Sequence, residues 1–258
     1  MLTLWLVVIL MLDKNSKVEE FHRYEFKYVI SSDIATTIQG EIENFMNYDG
    51  FIHEELGNAY LVRSLYFDNI FASNFYEKID GVRYRTKFRL RTYSRENDNS
   101  SPMFLEQKGR HLNRVFKNRC HIDSEDLSKF YSEGSYAKIY NSYKNEVAED
   151  FIFQAYKKKL KPRVLVDYIR KPYTSNYDSN FRITFDSSIE SKKSLSLFPS
   201  ENFGLIKSLP GYVIMEVKFH RRIPAWFHRI LQTYNLSRVS ISKFVLGMAS
   251  TNLATDLS

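Results

Sequence analysis

Cations recur at every second position of the stretch "GVRYRTKFRLRTYSRE" (81–96), where Arg83, Arg85, Lys87, Arg89 and Arg91 alternate with Tyr84, Thr86, Phe88 and Leu90. Successive side chains of a strand point to opposite faces, so the five cations share one face and the aromatic and aliphatic residues share the other. Neighbours on one face stand about 6.5–7 Å apart. Each adjacent pair therefore repels by about 0.6 kcal/mol in water and by about 2–2.5 kcal/mol at an effective dielectric of about 20. Such a ladder requires solvent or an anion. Its bland account is the wet face of an antiparallel sheet. Chemistry enters if other strands bring cations to the same place, because Arg offers phosphate oxygens planar bidentate contacts and Lys a point charge.

Other strands do carry one-sided charge. Glu25-Phe26-Lys27, Glu106-Gln107-Lys108 and Glu216-Val217-Lys218 each put a carboxylate and an ammonium on one face. Arg182 and Asp186 likewise share a face, opposed by Phe181, Ile183 and Phe185. Turned inward around a closed barrel, such faces make a charged lumen, with the apolar faces outward under helices. Lys27, Arg89, Arg91, Lys108, Arg170 and Arg182 then become fixed donors for a chain of phosphates. Glu216 among those cations reads as a metal ligand, since a divalent ion bridging carboxylate and phosphate oxygens neutralises both. The competing account makes Glu25, Glu106 and Glu216 structural partners of neighbouring lysines. The six histidines show no H-x-H or H-x-x-x-H spacing, so none is assigned a metal, and His111 and His220 read as surface or mouth residues. Tyr66, Phe67 and Tyr84 read as core, with Tyr66 the one able to reach the lumen.

The elements that must position these groups are legible as period-two segments at 21–30, 60–68, 82–93, 102–109, 114–122, 163–173, 181–186 and 211–219. Asp33 reads as the N-cap of a helix striped by Ile34, Ile38, Ile42 and Phe45. A helical region is predicted from about 125 to 159, and Pro224 in a first turn opens another at "PAWFHRILQTY". The polar run at 94–102 is a loop, and no linker or repeat divides the chain. The expected organisation is an α+β fold: an N-terminal extension (1–20), one domain (21–250) built on a closed eight-stranded antiparallel β tunnel with flanking helices, and a tail (251–258).

Composition narrows the partners. The 258 residues are 43% hydrophobic and 16% aromatic, which excludes a disordered chain. A formal net charge of +7 favours a polyanion without choosing one. RNA-binding sheets place stacking aromatics beside their cations, whereas here the aromatics lie opposite them, so no nucleic acid is expected. Cys120 is the only cysteine, which excludes an intrachain disulfide and a thiolate cage, suits a reducing compartment and suggests core packing. The opening "MLTLWLVVILML" is too short to span a bilayer and lacks a basic n-region and cleavage site. It reads as an upstream start-site artefact or a membrane-touching tail. The expected localisation is cytoplasmic, with membrane association and a membrane-protein partner left open.

With "RYEFKY", "VRSLYFD", "KFRLR", "FLEQKGR", "VDYIRKPY", "RITFD", "MEVKF" and "ISKFVLG" in this order, the sequence resembles the polyphosphate polymerase domain of the vacuolar transporter chaperone (VTC) family, a branch of the CYTH-like triphosphate tunnel metalloenzymes, over about residues 21 to 248. The resemblance implies a tunnel that binds a nucleoside triphosphate (ATP) at a centre supported by manganese, with magnesium the alternative. There the terminal phosphate of a growing polyphosphate, or of a pyrophosphate primer, attacks the γ-phosphate. Carried over by motif, Arg89, Arg91, Lys108 and Arg182 clamp the transferred group; Lys27, Lys117, Arg170, Lys218 and Lys243 hold substrate; Glu216 binds metal; Arg83, Arg85 and Lys87 lie towards a tunnel mouth. Phosphoryl transfer needs positioning and charge neutralisation more than a reactive side chain, which accounts for the lack of a nucleophile constellation. The hydrolytic relatives open with E-x-E-x-K, whereas this chain has Arg23, Glu25 and Lys27, and the phosphate-sensing domain and membrane region of the eukaryotic polymerases are not in this sequence. The alternatives are a tunnel triphosphatase acting on inorganic or organic triphosphate and a non-catalytic polyanion binder.

Overall fold

The computed structural model describes residues 24–49, 53–97, 101–112, 114–201 and 204–255. The 1–20 extension, Arg23 and residues 256–258 of the tail lie outside the described residues. The alternating segments all form strands: β1 (Tyr24–Ser31), β3 (Tyr60–Asp68), β4 (Tyr84–Thr92), β5 (Met103–His111), β6 (Arg114–Ile122), β7 (Lys161–Ser175), β8 (Arg182–Lys193) and β10 (Tyr212–Phe219). They pair antiparallel in the order β1-β10-β8-β7-β3-β4-β5-β6. Two short strands join this path, β2 (Met46–Tyr48) beside β7 and β9 (Ile206–Lys207) beside β8, so the sheet has ten strands where eight were expected.

The sheet is also open where closure was expected. β1 and β6 end the strand order and do not pair with each other. The outer edge of β1 is already taken: Val239 N–H donates to the Lys27 carbonyl at 2.9 Å, and Lys27 Nζ donates to the Ile241 carbonyl at 3.4 Å. A backbone carbonyl so engaged is not available to a further strand. An ion pair bridges the seam instead, Lys108 of β5 to Glu25 of β1 at 3.7 Å.

Among the described residues six α-helices flank the sheet: α1 (Ser32–Ile42), α2 (Ser73–Ile79), α3 (Tyr136–Ser142), α4 (Glu146–Lys158), α5 (Ala225–Thr233) and α6 (Lys243–Ser250). The N-cap of α1 is Ser31, whose hydroxyl accepts from Ile34 N–H at 3.3 Å. Asp33, the expected cap, sits in the first turn, where its charge suits the helix dipole. Pro224 is itself the cap of α5 and lies one residue outside it. The 125–159 region is helical as expected, in four pieces: two 3₁₀ helices (Ser124–Phe130 and Glu133–Ser135) followed by α3 and α4.

Burial follows strand parity. On the convex face Leu65, Phe88, Leu90 and Leu105 meet Phe130, Ile139 and Phe151 in one core, with Cys120 packed half-buried against it as expected. Ile30, Ile183, Met215 and Val217 meet Ile38, Ile42 and Phe227 in a second. On the opposite, concave face, Val62, Val166 and Ile214 close over Phe75 of α2 and Phe244 and Met248 of α6. Gly247 permits that approach, because a Cβ there would stand 2.8 Å from a methyl of Val166. Helix α6 therefore fills one end of the concave side and carries its first residue, Lys243, towards the remaining space. Among the described residues no helix is long and apolar enough to cross a membrane.

Candidate functional site

What α6 leaves unfilled is a cavity of about 690 Å³. Its wall holds twelve Lys and Arg side chains against three carboxylates, Glu25, Glu106 and Glu216. Each carboxylate is the centre of a knot of cations drawn from several strands. Glu106, 2% exposed, receives Arg89 at 2.5 Å, Lys117 at 2.7 Å and Arg91 at 3.7 Å. Glu216 is met by Lys243 at 3.1 Å, Lys27 at 3.5 Å, Arg170 at 3.6 Å and Lys218 at 3.9 Å. Lys27 turns also to Glu25, 3.2 Å away, which Lys108 and Lys218 approach from the other side. Behind Glu216 the fully buried Asp186 takes both arms of Arg170 at 2.6 Å and Lys243 at 2.5 Å.

For Arg89 and Arg91 the anion demanded by the opening ladder is thus supplied within the protein, by Glu106. Register pairs Arg89 with Glu106 on the neighbouring strand, and further register partners bring Lys108 beside Lys117. Two phenols complete the fixing: Arg89 Nη1 donates to the Tyr66 hydroxyl at 2.8 Å, and Arg91 Nη2 to the Tyr168 hydroxyl at 3.1 Å. The ammonium of Lys243 and the guanidinium of Arg170 stand over the Tyr168 ring at 4.8 and 5.3 Å.

These contacts set the charge states. Burial alone raises Glu216, but Lys243, Lys27 and Arg170 outweigh it and hold the carboxyl well below its usual range. Glu106 behaves likewise under Arg89, Arg91 and Lys117, and Glu25 is lowered to about 2, its burial overcome chiefly by Lys108. Lys87 has no such partner. Burial first, then Lys78 and Arg85, lower it to about 7. Lys117 is lowered to about 8 by burial, against the pull of Glu106. Positive charge in this cavity is in excess: Lys27 and Lys243, held by carboxylates, are raised, whereas Lys108 and Lys218 join Lys87 and Lys117 in being lowered, chiefly by burial.

Of the residues read from the sequence, Lys27, Arg89, Arg91, Lys108, Lys117, Arg170, Glu216, Lys218 and Lys243 share this wall, and Lys87 and Arg85 border it. Arg182 does not: its guanidinium binds Asp49, and its side chain is 40% exposed away from the cavity wall. Arg83 is exposed just ahead of β4. The sequence reading missed Lys78, which reaches the wall from α2, and Tyr168 and Arg110. Tyr168 and Arg110 share strand parity with Arg170 and Lys108, a signal that was present. Lys78 carried none.

Among the described residues, no group of three or more His, Cys, Asp or Glu is placed to hold a divalent ion. Glu216 and Glu25 are the cavity carboxylates joined through Lys27. That donor set fits a small hard ion that keeps most of its shell from water and phosphate oxygens and takes one or two carboxylates from the protein.

A solved structure, "Monoclinic Mimivirus Capping Enzyme Triphosphatase", is similar over 89% of this chain and 94% of its own, at 9% identity and a TM-score of 0.34, too slight a likeness to reason from. No curated protein matches. The family model of the VTC domain matches residues 22–252, nearly the whole of the described fold, and the chain belongs to that family.

Proposed function

We propose that this domain is a metal-dependent polyphosphate polymerase, transferring the γ-phosphate of a nucleoside triphosphate to the end of a polyphosphate chain. Family membership supports an enzyme acting on triphosphate or polyphosphate. The observation that favours transfer to phosphate over hydrolysis is the state of the cavity carboxylates. Glu25, Glu106 and Glu216 are all engaged by cations and all depressed, and a carboxylate held that low is a poor base for drawing a proton from water. An acceptor phosphate arrives already anionic and needs no base.

In this reading Arg89, Arg91 and Lys108 hold the γ-phosphoryl group, while Lys27, Lys117, Arg170, Lys218 and Lys243 align the acceptor. An oxygen of the acceptor's terminal phosphate attacks phosphorus in line, the bond to the β-phosphate oxygen breaks, and nucleoside diphosphate leaves with that electron pair. A divalent ion, manganese or magnesium, held by Glu216 and phosphate oxygens, would offset charge on the transferring group.

The test is purified protein with ATP, manganese and a pyrophosphate primer. ADP together with acid-stable chains that exopolyphosphatase digests is the expected result. Orthophosphate matching ADP mole for mole, without chains at any primer concentration, assigns a triphosphatase. No ADP alongside tight polyphosphate binding assigns a cavity that binds without turnover.

A further inference from the structure

Away from the cavity, the turn between β3 and α2 holds two large apolar side chains in solvent: Ile70 is 69% exposed and Phe71 75%. This is not a frayed loop. Asp68 accepts from Asn69, Asn74 and Phe75 N–H at 2.8, 3.0 and 3.2 Å, and Asn69 Oδ1 accepts from Phe71 and Ser73 N–H at 3.0 and 3.1 Å. Asn69 Nδ2 also donates to the carbonyl of Lys158, tying the turn to the end of α4. The backbone is held by hydrogen bonds on both sides of the tip, so the exposure of Ile70 and Phe71 is built in. Isolated exposed apolar residues are ordinary; two adjacent ones on a rigid projecting turn are not.

Lysines stand on the elements that adjoin that turn. Lys157, Lys158 and Lys159 end α4 beside it, Asp68 pairs in register with Lys161, and Lys193 lies one strand further, opposite Val164. Leu195, 71% exposed, follows Lys193 along the same edge. A helix C-terminus favours cations, which accounts for Lys157 and Lys158. It does not account for Lys161 or Lys193 on the strands. Glu77 and Glu133 neutralise Lys158 and Lys159. Lys157, Lys161 and Lys193 enter no ion pair among the described residues. A protein partner's apolar anchor is matched by a groove, whereas this surface projects.

We propose that the Ile70–Phe71 turn is a membrane-contact tip that inserts between the headgroups of an anionic bilayer while Lys157, Lys161 and Lys193 rest on its surface. The apolar pair supplies burial in the acyl boundary and the lysines supply attraction to anionic lipid, the two contributions that interfacial binding sums. The proposal does not depend on what the cavity catalyses.

The full chain is sedimented with vesicles of equal parts phosphatidylglycerol and phosphatidylcholine, and with phosphatidylcholine alone. Binding is expected only to the first, weakening as salt is raised. Ile70→Ser with Phe71→Ser, at exposed positions where folding is not at stake, should weaken it at least about tenfold. Lys161→Glu with Lys193→Glu should do the same. The Arg89→Ala, Arg91→Ala variant and saturating inorganic triphosphate separate this surface from headgroup capture in the cavity, and both should leave vesicle binding intact. Unchanged binding by the Ile70→Ser, Phe71→Ser variant overturns the proposal. So does equal binding to phosphatidylcholine vesicles, or loss of binding with triphosphate. Binding that disappears only when residues 1–12 are deleted assigns the contact to that segment and overturns it as well.

Discussion

Lys87 is a cavity lysine that forms no ion pair with a carboxylate among the described residues, and its protonation offers a direct measure of whether phosphate occupies this space. In the free protein it stands at about 7 rather than its ordinary 10.5, through burial and the neighbouring charges of Lys78 and Arg85. A bound triphosphate supplies the missing anion and restores the proton, so binding takes up a proton wherever the free side chain is neutral. With the bound value back at 10.5, Lys87 is half charged in the free protein near pH 7 and about one-hundredth charged near pH 9. Affinity for inorganic triphosphate should therefore fall about 50-fold over that interval, about 2.3 kcal/mol. The ligand's own last ionisation overlaps this interval but acts alike on wild type and on Lys87→Met, so the 50-fold component is read as the difference between their slopes. Lys117 adds less than tenfold, because its side chain is 46% exposed and screened. Calorimetric titration without metal, in two buffers of different ionisation enthalpy, reads affinity and proton uptake together. Lys87→Met should remove that component and leave the smaller dependences of the other depressed lysines, Lys78, Lys108, Lys117 and Lys218. A wild-type slope that differs from the Lys87→Met slope by less than about threefold between these pH values would refute the reasoning. The sign for stability agrees: between the folded value near 7 and the unfolded 10.5 the unfolded chain holds more protons, so this group makes the ligand-free protein more stable as pH rises through that window.

Three further outcomes follow from the same geometry. Glu216→Gln should retain triphosphate binding while manganese-dependent turnover falls at least about a hundredfold, nearly 3 kcal/mol of transition-state stabilisation; turnover within a few-fold of wild type would reduce Glu216 to an ion-pair partner. Arg89→Ala with Arg91→Ala should abolish the rise in melting temperature that triphosphate gives beyond equimolar sulfate, whereas Arg182→Ala, whose side chain binds Asp49 outside the cavity, should keep most of it; equal losses would place Arg182 at the ligand. Tyr66→Phe removes the acceptor of Arg89 Nη1 and should weaken triphosphate binding about tenfold, the scale of one hydrogen bond to a charged group, an effect that thermal shift against ligand concentration resolves.

The ladder also shows how the reading of one strand changes once its neighbours are known. Taken alone, Arg89 and Arg91 repel, and their removal should relieve strain. In the fold they share Glu106, which is almost fully buried, so deleting both leaves a desolvated carboxylate with Lys117 as its remaining ion-pair partner. The double variant is therefore expected to be less stable without ligand, the opposite of what the isolated strand implies.

Strand positions, their charged and apolar faces and the shared wall of Lys27, Arg89, Arg91, Lys108, Lys117, Arg170, Glu216, Lys218 and Lys243 were legible in the sequence, because strand parity is local: an alternating stretch commits each side chain to a face before any partner is chosen. The caps slipped by one or two residues, and α2 and α6 went unseen, since seven or eight residues give too few turns for a helical stripe to declare itself. Only the tertiary structure decided how the faces meet. Closure depends on which backbone reaches the edge of β1, and the 239–241 segment, some two hundred residues away in sequence, reaches it in place of β6. Arg182 has the right parity but leaves the cavity because Asp49, from after β2, captures its guanidinium. Lys78 enters the wall from a helix with no pattern in common with the strands. Periodicity along the chain determines which way a side chain faces; which charge it finds there is a long-range contact, set by the packing of elements that the local pattern does not encode.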